Sequence, residues 1–373
     1  MPLTNLLDNN TKFAYIRVAD FQDNGTINLQ NIKFINENTY NVLKNYKIYD
    51  DNLYISIAGT IGKSGIIPKE LNGAILTENA VKLEYIQNNI SNKFMYFFTL
   101  SNIFKTQIQT STKIVAQPKL AITRLKQIQI PLPPLKEQER IVGILDESFA
   151  KIDESIKILE QNLLNLDELM QSALQKAFNP LKDNAKENYK LPQSWEWKSL
   201  EEISENISAG GDKPKNCTES KTAKNQIPVY ANGVNNNGLV GYTDKATIIK
   251  PSLTISARGT IGFVCIRKEP YFPIVRLISL IPCENILCLH YLYFCLNFFI
   301  AKGEGSSIPQ LTIPKFKSLQ IPLPPLKEQE QIAKHLDFVF EKTKALKELY
   351  TKELKDYEEL KQSLLNKAFK GEL

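Results

Sequence analysis

The chain has 373 residues, which is enough for two or three domains that each bury a core. With 43% hydrophobic and 23% charged residues, its composition is that of an ordinary globular protein, and no run reaches the roughly 18 apolar residues that cross a bilayer. The net charge of +6 is compatible with a polyanionic partner, and the chain is not strongly acidic.

The first third of the chain predicts strands. The polar segment Met1–Thr11 lacks the basic and apolar regions of a signal peptide, so we expect a cytoplasmic location. The run Phe13–Val18 and the segment Ile27–Ile35 predict strands on either side of a turn at Gly25. Leu53–Gly62 is a third β-rich run. Its final Gly-Thr-Ile-Gly lacks the third glycine of a dinucleotide-binding loop, and we interpret it as a bend or bulge within a strand.

A helix and a repeated motif follow. Lys93–Lys105 predicts a short buried helix, and Thr106–Lys113 predicts a polar loop. The segment Gln129–Glu139, Gln-Ile-Pro-Leu-Pro-Pro-Leu-Lys-Glu-Gln-Glu, then recurs without a change at Gln320–Glu330. In the same way Leu253–Gly262 matches Leu53–Gly62. One order of elements with varying lengths between them indicates a tandem duplication.

Each copy of the motif opens a long helical segment with a heptad-like apolar seam. A helix from Lys136 to Phe178 would be about 65 Å long and needs a partner for this stripe, which the other copy can supply. Thr343 and Lys361 interrupt the second seam. The residues expected to pack helix against helix are Ile141, Leu145, Phe149, Ile152, Ile156, Leu159, Leu163, Leu166, Ile332, Leu336, Leu354, Tyr357 and Leu364.

The proline pairs of the motif are expected to be the junctions between globule and helix. Pro133-Pro134 and Pro324-Pro325 force an extended approach, and Pro134 suits a first helical turn. Both long segments end alike, in Lys-Ala-Phe at residues 176–178 and 367–369.

The charge is divided between these segments. Residues 1–127 and 190–318 each carry a net charge of +5, residues 128–189 carry −4, and residues 319–373 carry 0. Two basic globules on a neutral or acidic scaffold suggest two surfaces for a polyanion, although an excess of this size is also ordinary surface variation.

The cysteines predict no disulfide framework, because their number is odd and no Cys-x-x-Cys pair occurs. Cys283, Cys288, His290 and Cys295 crowd together in an apolar region whose spacing fits no common zinc motif. We favour core thiols on a buried helix, with zinc as the alternative.

Catalysis has little support in the sequence. His290 and His335 are the only histidines, and His335 lies within a heptad helix. Neither a Walker-type phosphate loop nor an Asn-Pro-Pro-Tyr-like methyltransferase motif occurs. We expect the chain to supply recognition while partner proteins supply chemistry.

Two variable globules that alternate with two near-identical helices resemble the specificity subunit of type I restriction–modification systems. The motif Ile-Pro-Leu-Pro-Pro-Leu-Lys-Glu-Gln-Glu, the Trp195-Glu196-Trp197 start of the second globule and the end Ala368–Leu373 carry the resemblance, which covers nearly the whole chain. It implies an α+β fold with two pseudo-repeated α/β target-recognition domains, separated by two long antiparallel coiled-coil helices.

On this resemblance, residues 1–127 and 183–318 are target-recognition domains, and residues 128–182 and 319–373 are spacer helices. Each domain would read half of a split double-stranded DNA site. The helices would dock two methyltransferase subunits, and translocating restriction subunits would complete the complex. No cofactor is expected in this chain, since S-adenosylmethionine, ATP and Mg would belong to the partners, and no membrane is involved.

The first globule departs from the family pattern. The second has Trp195-Glu196-Trp197 well before Tyr230, whereas only 14 residues precede the corresponding Tyr15. A Trp-Glu-Trp segment and the strand after it are missing from the first copy. An alternative start, a truncated gene or a divergent segment would each produce this difference.

DNA contacts are expected from polar loop side chains, since Arg and Lys read guanine edges and Asn and Gln read adenine. For any one residue a solvated loop is the simpler interpretation. The candidates are Lys63, Ser64, Lys105, Gln107, Gln109, Lys113, Lys213, Lys215, Asn235, Asn236, Arg258, Lys302, Ser306 and Ser307.

Two other classes of function stay open. A silent or degenerate specificity protein, which donates recognition domains without being assembled, is compatible with the shortened first globule. A coiled-coil scaffold without DNA specificity would explain the heptads, but not the two basic, loop-rich globules.

Overall fold

The structure is a computed structural model of the whole chain. It describes residues 11–50, 52–85, 89–111, 120–178, 194–300, 303–304 and 310–373. The chain divides into two compact units, each of which combines one globule with parts of both long helices. Unit 1 comprises Met1–Glu160 with Thr351–Leu373, and unit 2 comprises Gln161–Tyr350.

Unit 1 contains two small sheets. The strands are β1 (Phe13–Ile16), β2 (Lys33–Ile35), β3 (Lys47–Ile48), β4 (Leu53–Ser56), β5 (Ser64–Ile66), β6 (Ala74–Leu76) and β7 (Ala80–Leu83). One sheet has the order β2-β1-β6-β3, with β1 and β6 parallel, and the other has the order β5-β4-β7 and is antiparallel. The helices are α1 (Glu37–Val42), α2 (Asn92–Leu100), α3 (Asn102–Ser111), α4 (Ile122–Leu125) and the start of α5 (Leu135–Phe178).

Unit 2 repeats this plan with additional strands. Its strands are β8 (Glu196–Ser199), β9 (Ser204–Ala209), β10 (Ile227–Tyr230), β11 (Leu239–Thr243), β12 (Ser252–Ile255), β13 (Thr260–Ile261), β14 (Val264–Arg267), β15 (Phe272–Pro273), β16 (Ile278–Pro282), β17 (Gly303–Glu304) and β18 (Gln320–Leu323). They form the sheets β11-β10-β15 and β14-β12-β16-β9 and the pairs β13-β17 and β18-β8. The helices are α6 (Leu200–Ile203), α7 (Leu289–Phe299), α8 (Ile313–Lys317) and the start of α9 (Leu326–Lys370).

The two long helices are continuous, as the sequence predicts, with 44 residues in α5 and 45 in α9. Within unit 1, Lys361 of α9 pairs with Asp153 of α5. Within unit 2, Lys347 of α9 pairs with Asp167 of α5. From the first pair to the second, the residue on α5 moves two heptads toward the C-terminus, while the residue on α9 moves two heptads toward the N-terminus. This is the register of an antiparallel pair.

The seam of α9 differs in detail from the prediction. Thr343 does not interrupt it: its side chain is buried, and its hydroxyl donates to the carbonyl oxygen of Val339 at 2.8 Å. Leu365, which was not predicted, is more deeply buried than its neighbour Leu364. Lys361 does break the apolar stripe, and its ammonium group lies 5.8 Å from the ring centroid of Phe149.

Two predicted elements are wrong, one in the first globule and one in both globules. The predicted single helix and polar loop are the helices α2 and α3, which break at Ser101, so Thr106–Ser111 is helical. The Gly-Thr-Ile-Gly segments are not bends within one strand, since Gly59–Gly62 and Gly259–Gly262 reverse the chain between antiparallel strands. All four glycines have positive φ, a conformation that glycine adopts without steric cost.

A glutamine of the repeated motif joins each globule to its long helix. Gln138 and Gln329 are completely buried. The Gln138 side chain accepts from the backbone N–H of Ser91 at 2.9 Å and donates to the carbonyl oxygens of Asn89 (3.0 Å) and Pro133 (2.9 Å). Each long helix is therefore fixed to the residues just before the aromatic helix of its globule.

Unit 2 repeats these contacts. Gln329 accepts from the N–H of Cys288 at 2.8 Å and donates to the carbonyl oxygens of Ile286 (2.9 Å) and Pro324 (2.8 Å). The Pro-Pro pairs, which the sequence singled out as junctions, precede the first helical turns. The Pro134 carbonyl oxygen accepts from the N–H groups of Glu137 and Gln138. Pro134, which precedes the helix, therefore supplies the acceptor for two N–H groups of its first turn.

The closing Ala-Phe of each long helix packs into a globule. In unit 1 the ring of Phe369 lies 5.1 Å from that of Phe94 and 5.3 Å from that of Phe98 on α2. In unit 2 Phe178 is buried and contacts the ring of Tyr291 on α7 at 5.7 Å. Each globule is thus held by the start of one long helix and the end of the other.

Of the three cysteines in the cysteine-rich segment of unit 2, Cys295 lies in the core on α7, whereas Cys283 and Cys288 precede this helix and are partly exposed. Cys295 is fully buried, and burial raises the pKa of its thiol. His290 lies on α7, where its Nδ1 is 2.8 Å from a carboxylate oxygen of Asp337. The described residues contain no group of His, Cys, Asp or Glu that could hold a metal ion, and none of their helices is long and apolar enough to cross a membrane.

Candidate nucleic-acid interface

In unit 2, Asn232 ties three surface loops together. Its Oδ1 accepts from the backbone N–H of Ala257, which precedes the Gly259–Gly262 turn, at 2.8 Å. Its Nδ2 donates to the carbonyl oxygen of Val275 at 2.6 Å. The next residue, Gly233, donates its N–H to the Ser256 hydroxyl at 3.2 Å. The loop after β10 is thereby fastened to the loops that follow β12 and β15.

Two exposed basic side chains project from these fastened loops. Arg258 follows Ala257 directly, and its guanidinium donates to the side-chain oxygen of Gln310 at 3.1 Å. Arg276 follows Val275 and is also exposed. Because Asn232 bonds the backbone next to each of them, Arg258 and Arg276 stand on loops that one amide holds together. Exposed guanidinium groups can contact phosphates or guanine edges.

The backbone at Val275 and Arg276 is strained. Their φ values are 53° and 59°, in the left-handed region that β-branched and bulky residues avoid. Hydrogen bonds enforce this conformation, since the N–H groups of Val275 and Arg276 donate at 2.8 Å to the carbonyls of Gly211 and Gly210. Such over-determined strain concentrates at functional sites. The sequence interpretation missed Arg276, because no glycine marks this turn.

A third loop presents amide side chains. Asn235–Gly238 is a tight turn in which Asn236 and Asn237 have φ values of 47° and 52°. The guanidinium of the buried Arg267 stabilises this turn by donating a hydrogen bond to the carbonyl oxygen of Asn237 at 2.5 Å. The side chains of Asn235 and Asn236 are exposed, and amide groups of this kind can read adenine.

Unit 1 shares a backbone hydrogen bond of this arrangement and carries different side chains. The N–H of Thr77 donates to the Ile16 carbonyl at 2.9 Å, as the N–H of Ile274 does to the Tyr230 carbonyl at 2.8 Å. The positions after Thr77 are Glu78 and Asn79, where the second globule has Val275 and Arg276. The two globules therefore present different chemistry at the same place in a shared fold.

The remaining sequence candidates have varied surroundings. Lys105 and Gln109 are exposed on α3, and Lys213 and Lys215 are exposed in the loop after β9. Lys63 pairs with Asp23 at 2.8 Å.

Two candidates have side chains that serve the fold. Ser64 is buried, with its hydroxyl 2.6 Å from that of Thr99. Gln107 bonds both the N–H (2.8 Å) and the carbonyl (2.9 Å) of Gln129. Four further candidates lie outside the described residues: Lys113, Lys302, Ser306 and Ser307.

Comparison with known families decides what kind of protein carries this framework. The sequence model of the type I restriction modification DNA specificity domain matches twice, at residues 1–164 and 192–356. The chain belongs to this family. The two matches bear out the duplication, and membership among specificity proteins confirms the expectation that the chain is a recognition subunit rather than a catalytic one.

Relatives of known sequence agree. A putative type I specificity subunit of Mycoplasma pneumoniae is 33% identical over 228 residues, which cover 60% of this chain and 58% of that protein. A second putative type I specificity subunit of the same organism is 29% identical over 299 residues, covering 78% of this chain and 86% of that protein.

Solved structures show the same fold. A chain from a structure on complex assembly and conformational transition of a type I restriction–modification system superposes with a TM-score of 0.81, at 20% identity, over 97% of this chain and 92% of that one. The HsdS subunit from Thermoanaerobacter tengcongensis has a TM-score of 0.60, at 21% identity, over 97% and 91%. These likenesses confirm the predicted α+β fold class with its long helices.

Proposed function

We propose that the chain gives sequence specificity to a type I restriction–modification complex and reads a bipartite DNA site, one half with each globule. The observation that carries this proposal is the use of one framework twice with different exposed side chains. In each globule the same buried glutamine fixes the long helix, while the loops that face solvent differ at Glu78-Asn79 and Val275-Arg276.

In this proposal the second globule contacts DNA through its fastened loops. Arg258 and Arg276 are the main contacts, Asn235 and Asn236 read base edges, and Lys213 and Lys215 hold phosphates. In the first globule Lys105 and Gln109 of α3 have the corresponding role, together with Lys63 beside the Gly59–Gly62 turn. Ser64 and Gln107 are left out, since their polar groups already serve the fold.

We assign residues 1–127 and 183–318 as the two target-recognition domains, and residues 128–182 and 319–373 as the spacers. Two methyltransferase subunits would dock on the spacers, and restriction subunits would join that assembly in the cytoplasm, where the DNA lies. Apolar side chains that a single chain leaves exposed on the long helices support such partners, among them Ile158, Leu164, Leu169, Phe338 and Leu349.

The test is a methylation assay on the reconstituted complex. The purified chain is mixed with its modification subunit, and the methylated adenines on genomic DNA are mapped by sequencing. A bipartite consensus is expected, and methylation without a consensus would refute the proposal.

Variants then locate the second half-site. Arg258→Ala and Arg276→Ala should each weaken methylation by about 5- to 150-fold, since one bidentate base contact contributes about 1–3 kcal/mol. Glu269→Ala, at an exposed position in the loop after β14, is the control and should change activity less than about 2.5-fold, as expected of surface substitutions that cost below about 0.5 kcal/mol.

A further inference from the structure

Two exposed valines lie in the loops that Asn232 holds together. Val234 comes two residues after Asn232, and its side chain is 46% exposed. Val275, whose carbonyl oxygen accepts from the Asn232 amide at 2.6 Å, is 50% exposed. Each valine directly precedes an exposed side chain that can form hydrogen bonds, Asn235 in one loop and Arg276 in the other. The surface proposed to contact DNA therefore presents apolar groups as well as polar ones.

The local backbone does not favour a valine at position 275. Its φ of 53° lies in the left-handed region, which β-branched residues avoid. At two other left-handed positions of this globule the chain has Asn236 and Asn237, and asparagine tolerates this conformation. Position 275 instead combines backbone strain with an apolar side chain that is half in water. An apolar contact outside the chain would explain both features.

A single exposed apolar residue needs no explanation by itself, and Ile249 is an example. Ile249 is 70% exposed and also precedes a basic residue, but that residue, Lys250, donates to both carboxylate oxygens of Glu205 at 2.6 and 2.7 Å. Ile249 lies before β12, whereas Ala257, which Asn232 holds, lies after it. Ile249 is therefore a suitable reference for an exposed apolar side chain away from the fastened loops.

The chemistry of the two loops matches one groove of duplex DNA. The apolar group that a base pair presents at its edge is the C5-methyl group of thymine, and it lies in the major groove. The guanine atoms that an arginine reads and the adenine atoms that an asparagine reads lie in the same groove. The pairs Val234-Asn235 and Val275-Arg276 can therefore contact methyl groups and hydrogen-bonding atoms of neighbouring bases.

We propose that Val275, with Val234 of the neighbouring loop, contacts the C5-methyl group of thymine in the half-site that the second globule reads. This inference rests on the proposed function, and it adds that this half-site contains a thymine read from the major groove. The first globule has Glu78 at the position of Val275, and the Glu78 carboxylate accepts from the Tyr15 hydroxyl at 3.2 Å. The inference therefore concerns the second globule alone.

The experiment replaces thymine by deoxyuridine, which keeps the base pair and lacks only the C5-methyl group. The reconstituted complex methylates a duplex that carries the mapped consensus, and kcat/KM is compared with that for duplexes substituted in one half-site at a time. The thymine opposite the methylated adenine is left unchanged, because the partner subunit acts there. Substitution in one of the two half-sites should lower kcat/KM about fourfold, the effect expected from the loss of one buried methyl group.

Variants of the chain show whether Val275 makes this contact. On the unmodified duplex Val275→Ala should lower kcat/KM about four- to tenfold. In this variant the deoxyuridine effect should shrink to less than about twofold, because the same contact cannot be lost twice. Val275→Asn should act alike, and it keeps the turn because asparagine tolerates the left-handed conformation. Ile249→Ala is the matched control and should retain the full deoxyuridine effect.

Failure of this inference differs from failure of the proposed function. A bipartite consensus whose deoxyuridine duplexes are all methylated as fast as the unmodified one would overturn the inference and leave the proposed function standing. The same holds for a deoxyuridine effect that keeps its size in both Val275 variants, and for a consensus with no thymine other than the one opposite the methylated adenine. Methylation without any consensus would refute the proposed function itself.

Discussion

The buried glutamine of the repeated motif offers the sharpest test of how a globule is joined to its helix. Gln329→Ala removes three hydrogen bonds, those to the Cys288 N–H and to the carbonyl oxygens of Ile286 and Pro324. The Pro324 bond is fully buried, and the other two are partly buried. A buried polar group without a partner costs about 1–3 kcal/mol, and partly buried groups cost less because water reaches them. We expect the free energy of unfolding to fall by about 2–4 kcal/mol.

Urea denaturation followed by circular dichroism measures this loss, and hydrogen exchange at the start of α7 locates it. Gln331→Ala, an exposed substitution one residue beyond the motif, is the control and should cost less than about 0.5 kcal/mol. Gln138→Ala should destabilise unit 1 in the same manner. A cost for Gln329→Ala that is no larger than that of Gln331→Ala would refute the idea that this amide fastens the globule to the helix.

Three further predictions concern the ends and the start of the long helices. Phe369→Ala should destabilise unit 1 by about 3–5 kcal/mol in urea denaturation, because it leaves a cavity against the aromatic helix. Replacing Pro133 and Pro134 by Ala should alter the preferred spacing between half-sites in methylation mapping more than it alters the unfolding midpoint. Arg140 holds the pKa of Glu137 below its ordinary value, so the stabilisation by this pair should be present at neutral pH and lost as the pH falls through that lowered pKa. The difference in melting temperature between the wild type and Glu137→Gln should accordingly disappear in acid.

Each of these three predictions has a control or a result that would contradict it. Phe338→Ala removes an aromatic ring that is 60% exposed and should leave stability nearly unchanged, so an equal loss in both Phe variants would contradict the packing argument. An unchanged half-site spacing in the double Pro variant would count against the junction role of the prolines. A melting difference for Glu137→Gln that persists at low pH would show that the pair with Arg140 is not its source.

The periodicity of the sequence predicts the long helices and most of their seam, because heptad spacing is a local signal that the partner helix reinforces. It does not show that Thr343 can occupy the seam, since a hydroxyl becomes tolerable there only when it bonds back to its own helix. Likewise the polar run after Lys105 looks like a loop, yet it is α3, whose Ile108 is buried in the core of unit 1. In that segment tertiary packing outweighs local polarity.

The surface proposed to contact DNA was harder to predict from the sequence than the fold. Arg258 could be found because it adjoins a recognisable Gly-Thr-Ile-Gly turn. Arg276 could not, because its left-handed backbone is imposed by distant carbonyls at Gly210 and Gly211. Gln138 carries one signal in the sequence: it is an uncharged residue among charged ones, identical in both copies of the motif.

The central claim is that each globule reads its own half of a divided DNA site. Mapping of methylated sites with a complex that contains the Arg276→Ala chain tests it most directly. The account predicts relaxed sequence preference in one half of the consensus, with the other half and the spacing between them unchanged. An unchanged consensus, or equal relaxation of both halves, would contradict it.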